Sequence, residues 1–265
     1  MLAGALGDLM LGLLASCLSG LAVWLWQRGR HNRDLRLRMR VVGARPGDTC
    51  LIVMNNKYGA PGTTHHHDVQ AMIEAAVVSH SLGCEVEVVR SDDFRGSNGN
   101  RPEFCIGGPL GSNVRSAGHV AHTLPGVTFH PYTHPLRSNV RSAGHVAHTL
   151  PGVTFHPYTH PEHPLAFEAG GVLHRWRGGD EAYALLAKFT APGGERPVIL
   201  VCGQTALTNH AALYFLRRSY GRIADTVAST DRFCLLLKVP SIRTYGHQGV
   251  VLDRDLTDVA FTPGT

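Results

Sequence analysis

The chain contains no CxxC pair, no GxGxxG, no GxxxxGK[ST], no HExxH and no GxSxG. Each absence closes a class: redox-active dithiols, the two best-known phosphate loops, zincins, and serine hydrolases built on a nucleophile elbow. Paired carboxylates and a kinase signature set are missing too. Charge is sparse, at 17% of 265 residues, and its net value of +5 is local. Six arginines lie between Gln27 and Arg40 against Asp34, which leaves 19 basic and 18 acidic residues from Val41 onward. The body of the chain therefore lacks the basic surface that a phosphate backbone needs, and nucleic acid is excluded as a partner. The six cysteines are unpaired in sequence, and the last five fall in or beside apolar runs. They read as small buried hydrophobes in a reducing compartment, with Cys105 the one candidate nucleophile.

What is present begins with an uncharged run of 18 residues, Leu9 to Trp26. With Leu2 to Gly7 it reaches roughly the 30 Å of a bilayer core, and Trp24 and Trp26 close it where an aromatic belt belongs. The positive charge follows the run, the reverse of a cleaved signal peptide. The sequence thus predicts a transmembrane helix over 1–27 contacting lipid through residues 2–26, a basic juxtamembrane linker over 28–48, and a cytoplasmic domain over 49–265. By the positive-inside rule the protein is a single-pass cell-membrane protein with that domain inside.

Four runs in the body are apolar on both faces: CLIVM (50–54), EFCI (103–106), VILVC (198–202) and FCLLLKV (233–239). Such runs suit central parallel strands covered by helices. Helical patterns follow Asp68, Ser112 and Thr205, each of which can cap. CEVEVV (84–89) suits an edge strand, GVLHRW (171–176) and EAYALLAKFT (181–190) suit an added hairpin, and GVVLD (249–253) suits a last strand. The expectation is an α/β fold, a three-layer Rossmann-like sandwich with a mainly parallel sheet.

Residues 112–135 recur letter for letter at 138–161. Two copies without divergence indicate one tandem duplication of 26 residues and not a solenoid. The sheet has one slot for each element, so the sequence predicts that Ser112 to Leu124 docks and that part of 136–161 is displaced; two helices packed side by side is the competing outcome.

In parallel sheets ligands bind beyond the strand carboxyl ends. There the four runs lead into NNKYGAPGTTHHHD, GGPLGSN, GQTALTNH and PSIRTYGH. Asn55, Asn56, Gly107, Gly108, Ser112, Asn113, Gln204, Thr205, Asn209 and Arg243 are the candidate ligand contacts: glycines for backbone approach to phosphate, a helix start for anion binding, and amides to read a sugar. The plain alternative is that these glycines make tight turns. His65, His67 and Asp68 are candidate ligands for a divalent metal, against a polar or merely solvated loop. His119 and His122, three apart on a helix, share a ligand spacing that also arises by chance. Arg243, Tyr245 and His247 together can hold an anion.

At CIGGPLGSN the strand, double glycine and helix start resemble the Rossmannoid nucleotide-processing superfamily that includes the lysine-decarboxylase-like phosphoribohydrolases. The family pattern PGGxGTxxE is not kept: Asn113 stands near the threonine position and no glutamate follows, so no catalytic role is carried over. From the N-terminal run through GQTALTNHAA the chain also resembles membrane-anchored conserved proteins of actinobacteria. The expected function is a membrane-anchored domain binding a nucleotide or nucleotide-derived small molecule, as sensor or hydrolase. The rivals are a non-catalytic scaffold for a protein partner and a metal-dependent hydrolase using His65 to Asp68.

Overall fold

The structure, a computed structural model, describes residues 2–57, 62–91, 99–108, 113–123, 127–129, 153–155, 165–169 and 172–262. Helix α1 runs from Leu2 to Val42, so the basic segment beginning at residue 28 is helical as far as Val42. Its two ends are in different environments. Val41 and Val42 are buried in the main core and Leu35, Leu37 and Met39 pack against it, whereas Leu18, Leu21, Val23, Trp24, Leu25 and Trp26 are all exposed. Among the described residues no helix is long and apolar enough to cross a membrane. The uncharged run does extend into positions whose side chains lie outside that set.

After Gly43, which takes the left-handed φ of 82°, come β1 (Thr49–Met54), α2 (His66–Ser81), β2 (Glu85–Arg90), β3 (Glu103–Ile106) and α3 (Val114–Thr123). Three-residue strands follow, β4 (Val127–Phe129), β5 (Val153–Phe155), β6 (Phe167–Ala169) and β7 (Val172–His174), then β8 (Glu181–Thr190) and β9 (Pro197–Gly203). The chain closes with α4 (Ala206–Arg218), α5 (Tyr220–Thr226), β10 (Phe233–Pro240), α6 (Ile242–Tyr245), a 3-10 turn (Gly246–Gly249), β11 (Val251–Asp255) and α7 (Thr257–Phe261).

The main sheet has the order β11-β10-β8-β9-β3-β1-β2. β2, β1, β3 and β9 are mutually parallel, and β8 is antiparallel to both β9 and β10. β10 therefore points the same way as β9, and all four apolar runs share one direction although one strand separates the last two. The fold is α/β with a seven-stranded mixed sheet, parallel through most of its core. Each run supplies two cores. Ile52, Phe104, Ile199 and Leu235 face α2, α4 and α5; Leu51, Cys105, Leu200 and Leu236 face the other side, with α7, and Ser116 of α3 reaches Cys105 there. Crossovers through α2 and α4 step in opposite directions along the sheet yet lie on one face. They consequently have opposite hands, and one departs from the usual right-handed rule.

The segment expected as a hairpin added to the sheet divides instead. Strand β8 is buried along eight consecutive residues in the middle of the sheet, because its neighbours on both sides are apolar, while β7 belongs to a second sheet of order β4-β5-β6-β7. That second sheet adds a role for copy two that the sequence did not suggest. Val127 to Phe129 of copy one pair in parallel with Val153 to Phe155 of copy two, residue for identical residue. Copy two's strand then carries the antiparallel pairing to β6. Copy one thus keeps its helix on the main sheet, where Asn113, Ser116 and His119 are buried, and copy two keeps the strand slot beside the downstream chain. Residues 138–150, the helix-forming part of copy two, lie outside the described residues, as does most of 136–161.

Candidate functional site

The shared direction of β1, β3, β9 and β10 puts four carboxyl ends on one rim. At the end of β1, Thr64 Oγ1 donates to the Asn55 carbonyl (3.2 Å) and the Lys57 amide donates to Thr63 (2.7 Å), which folds the loop back. β3 ends at Gly107 with φ 109°. A Cβ there would stand 2.6 Å from Asn55 Cβ, so this glycine is required by the approach of Asn55. Gly108, by contrast, has nothing closer than 3.9 Å to where its Cβ would be. β9 ends at Gly203, whose amide donates to Asn209 Oδ1 (2.7 Å), and Asn209 Nδ2 donates to Asp68 Oδ1 (2.8 Å). One amide side chain thereby ties the end of a strand to the first turn of α2.

Asp68 does not cap that helix. The N-cap is His65, which makes no side-chain cap bond, and Asp68 sits in the first turn, buried at 1% exposure. Burial raises its pKa, and the hydrogen bond from Asn209 only partly opposes this. Beside it lies a ladder of imidazoles from three elements: His67 of α2 with its ring 6.0 Å from that of His210 of α4, and His210 stacked at 3.8 Å on His247 of the 3-10 turn. The Nδ1 atoms of His67 and His210 are buried without a partner, as is Asn56 Oδ1 on the same rim. Burial first, then the neighbouring rings of His247 and His67, lowers the His210 pKa to about 4. His67 is lowered by burial and by His66 and His247, and His247 by burial. The ladder is therefore neutral at pH 7. Glu74 lies 3.9 Å from His210 Nε2 and pairs with Arg217.

Most of the other expected contacts have their polar atoms engaged within the fold. Gln204 accepts from the Tyr183 amide and donates to the His174 carbonyl. Thr205 and Thr208 form a reciprocal capping box at the start of α4. Asn113, and not Ser112, caps α3: its Oδ1 accepts from the Ser116 amide (2.9 Å) and its Nδ2 donates to the Ile106 carbonyl (3.0 Å). Ser112 itself lies outside the described residues. Arg243 is placed at the β10 end, its amide donating to the Gly179 carbonyl and its guanidinium lying over that glycine. These side chains, with Asp68, build the rim; Asn56, Gly108 and His67 are the expected contacts whose polar groups are not engaged in this way. The sequence reading missed His210, whose signal was its place one residue after Asn209 in the first turns of α4.

His65, His67 and Asp68 do not converge as a metal triad, since Asp68 turns inward to Asn209. Among the described residues, three ligand atoms lie within 4.8 Å of one another at Glu103, Cys105 and His119. This group is an ion-pair cluster. Arg115 binds both Glu103 oxygens (3.0 and 2.5 Å) and His119 Nε2 meets Oε1 at 2.8 Å. Burial alone would raise the Glu103 pKa, but these bonds outweigh it and hold the carboxylate below its usual range. Burial pushes the Cys105 thiol well up, and its sulfur meets Ser116 Oγ at 3.1 Å, the setting of a buried protonated thiol. All six cysteines are free, and the last five are buried. No family model matches the chain, and no curated protein or solved structure matches it either.

Proposed function

We propose that the chain is a membrane-anchored sensor whose inner domain, a three-layer Rossmann-like sandwich, binds a nucleotide or nucleotide-derived anion at this rim. The strand order β2-β1-β3-β9 supports a switch point between β1 and β3, the crevice where open α/β sheets take their ligands. α2, α3 and α4 follow β1, β3 and β9, so their amino ends, with the positive ends of their dipoles, lie on the same side. The observation that carries the reading is the set of buried, unpartnered polar atoms beside those helix ends: Asn56 Oδ1, His67 Nδ1 and His210 Nδ1. Native folds seldom leave such atoms without a partner, and a bound ligand supplies one.

The anchor is the second half of the proposal. Leu18, Leu21, Val23, Trp24, Leu25 and Trp26 point to every side of α1 and all are exposed. An apolar surface on every face of a helix is at home in lipid and nowhere in water. Arg28 and Arg30 lie over Trp24 and Trp26 at 5.0 and 5.7 Å, an arrangement suited to the head-group layer.

To test the ligand, the full chain is purified in detergent and denatured, and the released small molecules are read by mass spectrometry with metal analysis alongside. A nucleotide panel is screened by thermal shift. The reading expects a co-purified or stabilising nucleotide, with affinity reduced about tenfold in Asn56→Ala, the loss of one ligand hydrogen bond. An empty protein that no nucleotide stabilises overturns it and favours the scaffold. Stoichiometric zinc or manganese that vanishes in His65→Ala/His67→Ala favours the metal hydrolase.

A further inference from the structure

A large cavity lies at the other end of the sheet. Between the lower half of α1 and the starting edge of β9 is a space of about 1630 Å³, lined by α1 from Trp26 onward and by Lys188. Seven cationic side chains line it against three carboxylates. Arg33, Arg36 and Arg40 have no acidic partner among the described residues, while Asp34, one of the three acids, is already paired with Arg38. Lys188 is buried at 3% exposure. It donates to the carbonyls of Arg40 and Thr230, each at 2.7 Å, which leaves one ammonium N–H without an acceptor. Arg33, Arg36 and Arg40 are exposed on α1 and line the same cavity as the buried ammonium, and a multivalent anion there would neutralise cations that have no acid of their own.

We propose that this cavity binds the phosphate of an anionic phospholipid drawn from the leaflet that faces the domain. The inference rests on the anchor reading but is independent of the rim, which is about 20 Å away along β9. Position selects lipid over a soluble anion. The cavity begins at the last residue of the uncharged run, so a lipid whose phosphate sits at that end, by Arg30 and Arg33, lays its acyl chains along the exposed Leu18, Leu21 and Leu25, while Arg36 and Arg40 add attraction from below. The volume leaves room for a whole lipid head group and the waters around it. A bound lipid would fix how the domain stands on the membrane, because the cavity wall is partly helix and partly sheet.

The test uses the full chain in nanodiscs of phosphatidylcholine with one-fifth phosphatidylglycerol. After extraction, retained lipid is counted by native mass spectrometry for the natural sequence and for R33Q/R36Q/R40Q. Those side chains are away from the packed core, and an unchanged melting temperature confirms folding. Each basic residue near a membrane surface contributes attraction to anionic lipid, so retained phosphatidylglycerol is expected to fall about tenfold in the triple variant. Equal retention in both proteins, or no enrichment over the bulk lipid, overturns the proposal while leaving the anchor intact. A chain that fails to insert even into neutral vesicles overturns both. Displacement of the lipid by millimolar inorganic phosphate identifies a soluble anion as the ligand and overturns the lipid assignment.

Discussion

Asn209 is the residue on which the rim depends most, since it satisfies both the Gly203 amide and the Asp68 carboxyl. Asn209→Ala leaves two buried polar groups unpaired, and denaturant titration should show a loss of about 2–4 kcal/mol. Asp68 behaves in the opposite sense. Its folded pKa lies above the unfolded value, so its contribution to stability is complete below the unfolded pKa and is lost as pH rises through the folded one. At pH 7 its buried charge is a cost, and Asp68→Asn should raise the melting temperature; a variant that is destabilised would contradict this. For His210 the folded pKa of about 4 lies below the unfolded one. Its stabilisation is present above pH 6.5 and disappears as pH falls towards 4. An NMR titration should find this imidazole still neutral at pH 5.5, and protonation at the ordinary value would show that the ladder is open to water. Nothing in the sequence announced the ladder, because His67, His210 and His247 are far apart in the chain and only the packing of α2 on α4 joins them. The helix start at Thr205 was readable from its cap chemistry, whereas Asn113 displaced Ser112 as a cap by a shift of one residue, within the usual uncertainty of helix ends.

Among the elements, the apolar runs at 50–54, 103–106, 198–202 and 233–239 were legible as strands because two-sided apolarity leaves a short segment few other homes. The exposed face of β2 marked an edge in the same way. What was hidden was β8, since local pattern cannot distinguish a hairpin strand from one inserted between β9 and β10. The duplication was visible letter by letter, but not its division of labour, helix from the first copy and strand from the second. Deleting 136–161 should therefore be tolerated. Val127 then takes the place of Val153 opposite Ala169, and the melting temperature should stay within about 3 °C, a shift of about 1 kcal/mol; a molten product would contradict the assignment. The foot of α1 carries a second prediction. Lys188 closes the last turn by binding the Arg40 carbonyl, and burial lowers its pKa to about 8, below the unfolded 10.5. Protein stability should accordingly rise with pH between 8 and 10.5, by up to about 3 kcal/mol. Lys188→Met should abolish that slope, and a slope that survives assigns it to other groups.

At the scale of the whole molecule the two ends of the sheet divide the work. The starting edge joins α1 and the basic cavity, and the carboxyl rim, a strand length away, carries the unpartnered polar atoms. The alternation of strands and helices made this polarity legible. Which rim residues face outward was not legible, because the amides and hydroxyls suited to a ligand are the same groups that cap helices and tie strands together. Hydrogen exchange of the full chain in nanodiscs, with and without a saturating nucleotide from the panel, tests the central claim most directly. The account predicts slower exchange at 55–57, 64–70, 107–108 and 204–210, with the starting edge near 40–45 and 188–197 unchanged. No protection at any of the four rim segments, or protection confined to the starting edge, would contradict it.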